Sequence, residues 1–479
     1  MMGARRGLLL VPAMLIGWAA TGTAVADTKS DAVAAVERQE GDLIRLSDQI
    51  WRFAETALRE VRSAALLADH AEQQGFRVTR GVAGMPTAFL AEYGSGRPII
   101  GILGEYDALP GLSQKAEPRK APLEAGAAGH GCGHNLFGAA SLGAAIAVKE
   151  QIEAGAIDGT IRFYGTPAEE SVGGKLYMVR AGLFEDVDVV LAWHPDHETK
   201  ADATSSQAMV DFVVEFRGKA SHAAFDPWNG RSAVDGLEIF TYAINMMREH
   251  LRPSVRVHYA IVQGGDVPNV VPEYAKVWCW VRDSKRTGVD EVMERVRAIA
   301  DGAALAAGVE AKLTVQSGDY EMLVNMTGAR LLHDNLTALG PLRFSEEEQE
   351  FARRIQEATG VEQKGLLEEI RPLPDKPGEP EGGSTDVADV SWVVPTLHLT
   401  VTTTPAGAPW HAWPVVASGG MSIGHRGMIH AARVLAGTMI DLYRDAAVRA
   451  AIRGEFERQT SGHVYKGYLP PGPPPVPGP

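Results

Sequence analysis

Between residues 27 and 206, helical spacing of apolar residues alternates with short unbroken apolar runs. The helical spacing predicts helices at residues 36–53, 63–74 and 139–153. The unbroken runs are typical of strands buried on both faces of a parallel sheet, and they lie at residues 98–104, 160–164 and 188–193. Because helices and buried strands alternate, we predict an α/β domain with a mostly parallel sheet.

The hydrophobic pattern changes near residue 207. From there the predicted order is strand, helix, strand, strand, helix, strand, which is the split β-α-β arrangement of an α+β sandwich. We interpret residues 207–321 as an inserted domain, because helices and a further strand resume afterwards. The first domain then comprises residues 27–206 and 322–463. The Pro- and Gly-rich tail, residues 464–479, is expected to be disordered or extended.

The composition narrows the class of partner. The chain has 479 residues, of which 45% are hydrophobic and 22% charged, as in ordinary globular proteins. Its net charge of −14 disfavours nucleic acid and anionic membranes as partners, because both require a basic surface. A small anionic substrate remains open, since one pocket can be locally positive. The two cysteines, Cys132 and Cys279, lie in a glycine-rich loop and an apolar strand, which favours separate roles over a disulfide.

The first 26 residues have the pattern of a signal peptide. Arg5 and Arg6 precede an apolar run at residues 8–20, which is short for a membrane span, and Ala24 to Ala26 form an A-x-A cleavage site. We expect cleavage before Asp27 and export to the periplasm or the medium, with no membrane attachment afterwards. The alternative is an uncleaved membrane anchor.

Side chains that bind metals form four clusters, at residues 105–107, 130–135, 169–170 and 194. Three of these clusters follow the ends of the predicted strands 98–104, 160–164 and 188–193. The carboxyl ends of parallel strands are where open α/β sheets bind ligands. Any one cluster is weak evidence, but three in equivalent positions predict a metal site at this edge of the sheet.

The residue types indicate how such a site would work. Cys132 and His134 share one metal only on a bent loop, which the neighbouring glycines permit. A helix predicted to begin near Asn135 favours a thiolate at Cys132. Thiolate, imidazole and carboxylate ligands suit zinc, and manganese where carboxylates dominate. Of the adjacent Glu169 and Glu170, one would bind the metal and the other would accept a proton from the attacking water.

Eight segments in this order resemble the clan of metal-dependent amidohydrolases that includes aminoacylase, carboxypeptidase G and succinyl-diaminopimelate desuccinylase. The similarity is greatest to the B-type chain of the aminobenzoyl-glutamate utilisation proteins. The matching segments are GILGEYDALPGLSQ (101–114), GHGCGHNLFGAA (129–140), GTPAEE (165–170), AWHP (192–195), GKASHAA (218–224), GGDVPNVVPEYA (264–275), GSTDVADVSWVVPT (383–396) and PWHAW (409–413). They span nearly the whole chain after the predicted signal peptide.

The resemblance implies a metallopeptidase-like catalytic domain and a role for individual residues. Glu169 would be the general base, and Asp107 would orient a metal ligand. The implied metal ligands are Cys132, His134, Glu170, His194 and His411. His130 and His197 lie near these ligands, and we interpret both as loop residues.

The inserted domain would serve as a dimerisation or lid domain. There, His222 would reach the active site of the partner subunit and stabilise the oxyanion, which implies a homodimer. Asn269 and Arg282 match positions that hold the carboxylate of the substrate. For Arg282 a structural salt bridge at the strand end is an equal alternative.

The resemblance implies hydrolysis of a small N-acyl amino acid or a dipeptide-like amide of the aminobenzoyl-glutamate type. One or two divalent ions, zinc or manganese, would be required. Two departures leave the number of ions open: Glu105 stands where dizinc peptidases have His, and Asn135 stands where many relatives have Asp. The alternative function is a non-catalytic exported binding protein. A dinucleotide enzyme is disfavoured, because the glycine-rich segment does not match G-x-G-x-x-G.

Overall fold

Two β-sheets organise the chain in the computed structural model, which describes residues 28–380 and 382–477. The predicted signal peptide lies outside the described residues. Within the described part of the chain, no helix combines the length and apolarity that crossing a bilayer requires. The strands are β1 (Arg77–Arg80), β2 (Phe89–Ser95), β3 (Ile99–Gly104), β4 (Gly159–Gly165), β5 (Val189–Asp196), β6 (Lys200–Ala201), β7 (Ala208–Arg217), β8 (Arg256–Gln263), β9 (Tyr274–Asp283), β10 (Glu310–Ser317) and β11 (Thr396–Thr402).

Helices pack against each of the two sheets. They are α1 (Thr28–Arg38), α2 (Glu40–Phe53), α3 (Val61–Gln73), α4 (His134–Glu153), α5 (Gly174–Arg180), α6 (Ala233–Met247), α7 (Arg286–Ala307), α8 (Met326–Leu339), α9 (Glu346–Thr359), α10 (Val387–Ser391), α11 (Trp413–Gly419), α12 (Ser422–Arg444) and α13 (Ala446–Gln459).

The larger sheet has seven strands in the order β1-β2-β4-β3-β5-β11-β6. The four central strands, β4, β3, β5 and β11, run parallel to one another, whereas β1, β2 and β6 add antiparallel edges. Helix α4 is almost completely buried against this sheet, and its many small residues allow the close approach. The predicted α/β class with a mostly parallel central sheet is confirmed.

The smaller sheet has four antiparallel strands in the order β10-β7-β9-β8. Helices α6 and α7 pack on one face, and their apolar residues share a core with β7 and β9. This arrangement confirms the predicted α+β sandwich. The predicted borders at residues 207 and 321 stay predictions, because the order of the elements does not fix where a domain ends.

The topology brings the loops with the predicted metal-binding side chains to one edge of the larger sheet. The carboxyl ends of β3 and β4 are level, since Gly104 pairs with Gly165. His194 lies within β5, opposite Thr400 of β11, and not after the strand as predicted. The first turn of α4 begins at His134 at the same edge. Loops that are far apart in the chain therefore meet there.

The tail contacts the rest of the protein where the structure describes it, residues 464–477. The Tyr465 hydroxyl donates a hydrogen bond to Asp389 Oδ1 at 2.6 Å. The Tyr468 hydroxyl bonds to Asp290 on α7 of the smaller domain. Two tyrosine hydroxyls therefore anchor the described part of the tail to α10 and α7, and its predicted character, disordered or extended, stays a prediction.

Candidate metal centre

His134 and Asp107 form a buried pair at the centre of the site. The imidazole Nδ1 lies 2.8 Å from Asp107 Oδ1, so its Nε2 points towards the neighbouring ligand atoms. The other Asp107 oxygen accepts the backbone N–H of Glu170 at 2.9 Å. Asp107 therefore connects two loops that carry predicted ligands, which is the position that an orienting carboxylate requires.

The five predicted ligands come together in two overlapping groups. Cys132, His134 and His194 form one group, and Cys132, Glu170 and His411 form the other. Within each group the candidate donor atoms lie within 4.8 Å of one another. The Cys132 sulfur belongs to both groups and lies 3.4 Å from His194 Nε2. This geometry suits two ions that share the thiolate.

Three residues of the site have left-handed backbone geometry. Gly133, between the two ligands of the glycine-rich loop, has φ 77°, which is the bend that the sequence predicts there. Ala168, next to the paired glutamates, has φ 62°, and His411 has φ 50°. Non-glycine residues rarely adopt such angles, and where they do the strain often serves a functional site. The side chain of the buried Glu60 holds Ala168 in this conformation, because its Oε1 accepts a hydrogen bond from the Ala168 N–H at 3.0 Å.

Burial and neighbouring carboxylates control the protonation of the site. Burial, with Glu105 and Glu170 adding to it, raises the pKa of Glu169 well above its usual range. Burial likewise raises the pKa of Glu170 to about 7. Burial and the Glu170 charge raise the pKa of the Cys132 thiol in the metal-free protein, so the thiolate expected there stays a prediction for the metal-bound form. A helix dipole adds only a fractional charge, which burial beside a carboxylate outweighs.

The pKa values of the three predicted histidine ligands also depend on burial and on neighbouring charges. Burial and the nearby His134 lower the pKa of His194 to about 4, and they also lower the pKa of His411. Burial opposes the imidazolium of His134, but Glu105 and Asp107 outweigh it and raise its pKa well above the usual range. Neutral imidazoles are the form that binds metals.

The residues present fit a divalent cation. Three buried polar atoms at the cluster have no hydrogen-bond partner among the described residues: Glu105 Oε2, His134 Nε2 and Glu170 Oε1. Glu105 Oε2 and His134 Nε2 lie 3.1 Å apart and satisfy each other only when His134 is protonated, whereas a cation would satisfy all three atoms without that proton. The thiol, imidazole and carboxylate donors form the mixed set that zinc or manganese accepts.

Other polar residues near the cluster face away from it. His130 Nε2 lies 3.0 Å from the Ile50 carbonyl oxygen, consistent with its interpretation as a loop residue. The Asn135 amide donates to Ser47 Oγ at 2.9 Å and to the Gly419 carbonyl. Asn135 therefore connects α4 to neighbouring helices, and its lack of charge does not alter the ligand set.

Residues from both sheets line a cavity of about 810 Å³ in front of the cluster. Arg282 of β9 lies in its wall, stacks 4.9 Å from the Trp280 ring and donates to Ser384 Oγ at 2.8 Å. The buried Asp319 carboxylate lines the same cavity and interacts with the Arg282 charge, so both interpretations of Arg282, substrate binding and a structural ion pair, stay predictions.

Two predicted residues do not reach this cavity in their own chain. His222 and Asn269 are both exposed, on neighbouring loops of the smaller domain. The loops pair through an antiparallel bridge between His222 and Val270, and the Asn269 carbonyl accepts the Ala223 N–H. A single chain therefore assembles the predicted metal ligands, Glu169, Asp107 and Arg282, but not these two.

Comparisons with known proteins agree with this geometry. A family model described as a peptidase dimerisation domain matches residues 204–307. Over 463 residues the chain is 37% identical to the B chain of p-aminobenzoyl-glutamate hydrolase of Escherichia coli, with 91% of this chain and 96% of that protein covered. The chain belongs to the M20 family of metallopeptidases. This M20 enzyme is also 28% identical over 444 residues to a mouse Xaa-Arg dipeptidase, with 90% and 92% of the two chains covered.

Solved structures show the same fold at lower identity. A dinuclear metal-binding M20 peptidase from Bacillus subtilis superposes with a TM-score of 0.58 at 18% identity and covers 85% of this chain and 99% of its own. An aminobenzoyl-glutamate utilization protein from Klebsiella pneumoniae gives 0.58 at 19% identity, with 84% and 96% covered. The predicted family, fold class and enzyme class, a metal-dependent amidohydrolase, are confirmed.

Proposed function

We propose that this M20 enzyme hydrolyses a small N-acyl amino acid or dipeptide-like amide, with Glu169 as the general base. The observation that carries the proposal is the convergence of five donor side chains in two groups that share Cys132. The names of its relatives indicate the substrate class: one acts on p-aminobenzoyl-glutamate, and another is a dipeptidase.

Two divalent ions would be held by this donor set, one by Cys132, His134 and His194 and the other by Cys132, Glu170 and His411. When bound, such ions polarise the scissile carbonyl and lower the pKa of water. The Cys132 thiolate and the imidazoles favour zinc, whereas the number of carboxylates nearby favours manganese.

Glu169 would move the proton. It lies beside the ligand Glu170 but belongs to neither of the two ligand groups that share Cys132. Burial next to Glu105 and Glu170 raises its pKa, which makes its carboxylate a stronger base than an exposed glutamate. Glu169 would accept a proton from the attacking water and then donate it to the leaving amine.

Arg282 would bind the carboxylate of the substrate. Its guanidinium lies in the wall of the cavity, between the Trp280 ring and the Ser384 hydroxyl, and a guanidinium pairs with a carboxylate through two parallel hydrogen bonds. The cavity is large enough for a dipeptide-sized molecule. The net negative charge of the chain does not prevent this, because the positive charge is local.

A homodimer would complete the site. Strand β8 is an open edge of the smaller sheet, and Ile239, Tyr242 and Met246 present an exposed apolar row on α6 beside it. An unpaired edge next to an apolar helix face is the kind of surface that a second copy covers. The match to a peptidase dimerisation domain includes these residues.

The hydrogen bonds of His222 suit it to donate a proton in the active site of the partner subunit. Its Nδ1 accepts hydrogen bonds from the backbone N–H groups of Ala224 and Phe225, at 3.2 and 3.1 Å. The ring proton of the neutral form must then be on Nε2, where it can be donated to an oxyanion. The side chain is exposed, as a residue that crosses to another subunit must be.

Export completes the proposal. The charged residues, apolar run and A-x-A site before Asp27 support cleavage of residues 1–26 and a periplasmic or secreted location. N-terminal sequencing of the protein from a cell fraction tests this part separately.

The decisive experiment is a substrate panel assayed with each metal. The protein is stripped with a chelator, reloaded with zinc or manganese, and offered N-acyl glutamates, N-acyl aromatic amino acids and dipeptides. We expect hydrolysis of at least one class, with no activity in the stripped protein. Tight binding of panel members by the reloaded protein without any turnover would instead support the alternative, an exported binding protein.

A further inference from the structure

A buried lysine lies directly behind the metal-binding cluster. Lys175 Nζ donates to Glu105 Oε1 and to Asp386 Oδ1, both at 2.6 Å. The side chain of Lys175 is completely buried, and those of the two carboxylates are 1% exposed. The Lys175 backbone N–H also donates to Asp386 Oδ2 at 2.9 Å. Glu105 is therefore fixed through one of its two oxygens.

The other Glu105 oxygen points into the cluster. Oε2 lies 3.1 Å from His134 Nε2, with which it forms an ion pair when His134 is protonated, and it accepts no other hydrogen bond among the described residues. His134 Nε2 has no other partner among the described residues, and Asp107 bonds to the opposite ring nitrogen. Donor atoms of Glu105, His134 and Glu169 form a third group within 4.8 Å. These two buried donor atoms face each other across 3.1 Å, so a proton or a cation must lie between them, and a bound metal ion would take the place of the proton.

We propose that Glu105 supplies Oε2 as a further ligand to the ion held by His134, and that Lys175 is the positioning residue that aims it. This inference rests on the proposed metal centre. Glu105 suits the role better than Glu169, because the lysine fixes its rotamer at the end of β3, whereas Glu169 lies on the loop after Ala168. Lys175 also offsets the charge that another carboxylate adds to the cluster.

A carboxylate oxygen at this position has a consequence for metal choice. Cys132, His134 and His194 form a nitrogen and sulfur set, which favours zinc. Glu105 adds a hard oxygen to the same ion, and hard oxygen ligands favour manganese relative to zinc. Loss of Glu105 should therefore weaken manganese binding more than zinc binding.

The test measures metal binding directly. Full-length protein is stripped of metal and titrated with zinc chloride or manganese chloride, and bound metal is counted by elemental analysis after dialysis. We expect Glu105→Gln to lower the affinity for one of the manganese ions about 100-fold or more. Residues that only orient ligands change metal affinity by about 10- to 100-fold, so a loss of this size indicates a direct ligand. Glu105→Asp, which keeps the charge, should recover part of the loss.

The role of Lys175 is tested by a double-variant cycle. Lys175→Met should weaken manganese binding about 10-fold when Glu105 is present, and should cause no further loss when added to Glu105→Gln. Lys149→Met is the matched control, because Lys149 is also mostly buried but pairs with Glu153 on α4 at 2.5 Å, away from the cluster. The control should bind both metals as the parent protein does.

Several outcomes would overturn the inference. Glu105→Gln that binds both metals within twofold of the parent protein removes Glu105 from the ligand set. Additive losses in the double variant remove Lys175 from its positioning role. If Lys175→Met does not fold, the Glu105 pair of variants still decides the ligand question. A parent protein that binds metal but hydrolyses nothing contradicts the proposed function and leaves the Glu105 result to stand by itself.

Discussion

Asp107 uses its two oxygens to join two loops of the metal centre, one bonded to His134 Nδ1 at 2.8 Å and the other to the Glu170 backbone N–H at 2.9 Å. Asp107→Asn should weaken both contacts, because an amide offers only one acceptor and no charge. We expect metal affinity to fall about 10- to 100-fold. Titration of the stripped protein measures this. Asp48→Asn is the control, since Asp48 pairs with His425 at 2.9 Å away from the centre and should leave affinity unchanged.

Substitutions of the adjacent Glu169 and Glu170 should affect catalysis and metal binding differently. Glu169→Gln should keep both ions and lose about 100- to 10,000-fold in turnover, because the base is gone but the ligands remain. Glu170→Gln should lose metal as well as activity. Metal content and kcat measured on the same samples distinguish the two. Retained turnover in Glu169→Gln would remove that residue from its role.

Metal uptake should release protons. In the absence of metal, burial and Glu170 raise the pKa of the Cys132 thiol, and burial raises the pKa of Glu170 to about 7. Ligands must lose their protons to bind, so affinity should increase as the pH rises through 7. Calorimetry in buffers of different ionisation enthalpy counts the protons. Cys132→Ser should release fewer protons per ion bound than the parent protein, and an equal count would show that the thiol is not a ligand.

His222 should act in the partner subunit. A mixed dimer of one His222→Ala chain and one Glu169→Gln chain contains one site with both residues intact. A homodimer of either variant contains no such site. Equal mixing, with subunits that exchange freely, should restore about a quarter of the parental activity. If His222 acts within its own chain, no mixed dimer has an intact site and the activity stays absent.

The position of the site could be predicted because three clusters follow predicted buried strands and a fourth lies in a glycine-rich loop, whereas His411 and the individual ligand roles came only from the resemblance. Lys175 and Asp386 were not predicted: a lysine in the short helix α5 has the pattern of a surface residue, and only the fold brings it to Glu105. Glu60 was missed for the same reason, because its contact with Ala168 joins residues 108 positions apart. The raised pKa of the Cys132 thiol in the absence of metal was not predicted, because burial cannot be read from the neighbouring residues alone.

The packed tail gives a prediction for stability. The Tyr465 hydroxyl donates to Asp389 Oδ1 at 2.6 Å, and the Tyr320 backbone N–H donates to Asp389 Oδ2 at 3.0 Å. Tyr465→Phe removes one donor from a buried carboxyl, which should lower the free energy of unfolding by about 1–3 kcal/mol. Tyr274→Phe is the matched control, because Tyr274 donates to Glu215 at 2.6 Å near the surface and should change stability much less.

The hydrogen bond between Tyr465 and Asp389 should also make the stability loss in Tyr465→Phe depend on pH. Burial raises the pKa of Asp389 to about 7, against the two hydrogen bonds that lower it. A carboxyl whose folded pKa is raised contributes stability at low pH that is lost as the pH rises from about 4 through 7. Without the Tyr465 donor the ionised form is worse satisfied, so Tyr465→Phe should lose more stability at pH 8 than at pH 5. Urea unfolding of both proteins at the two pH values measures the difference, and equal losses would show that Tyr465 does not stabilise the Asp389 charge.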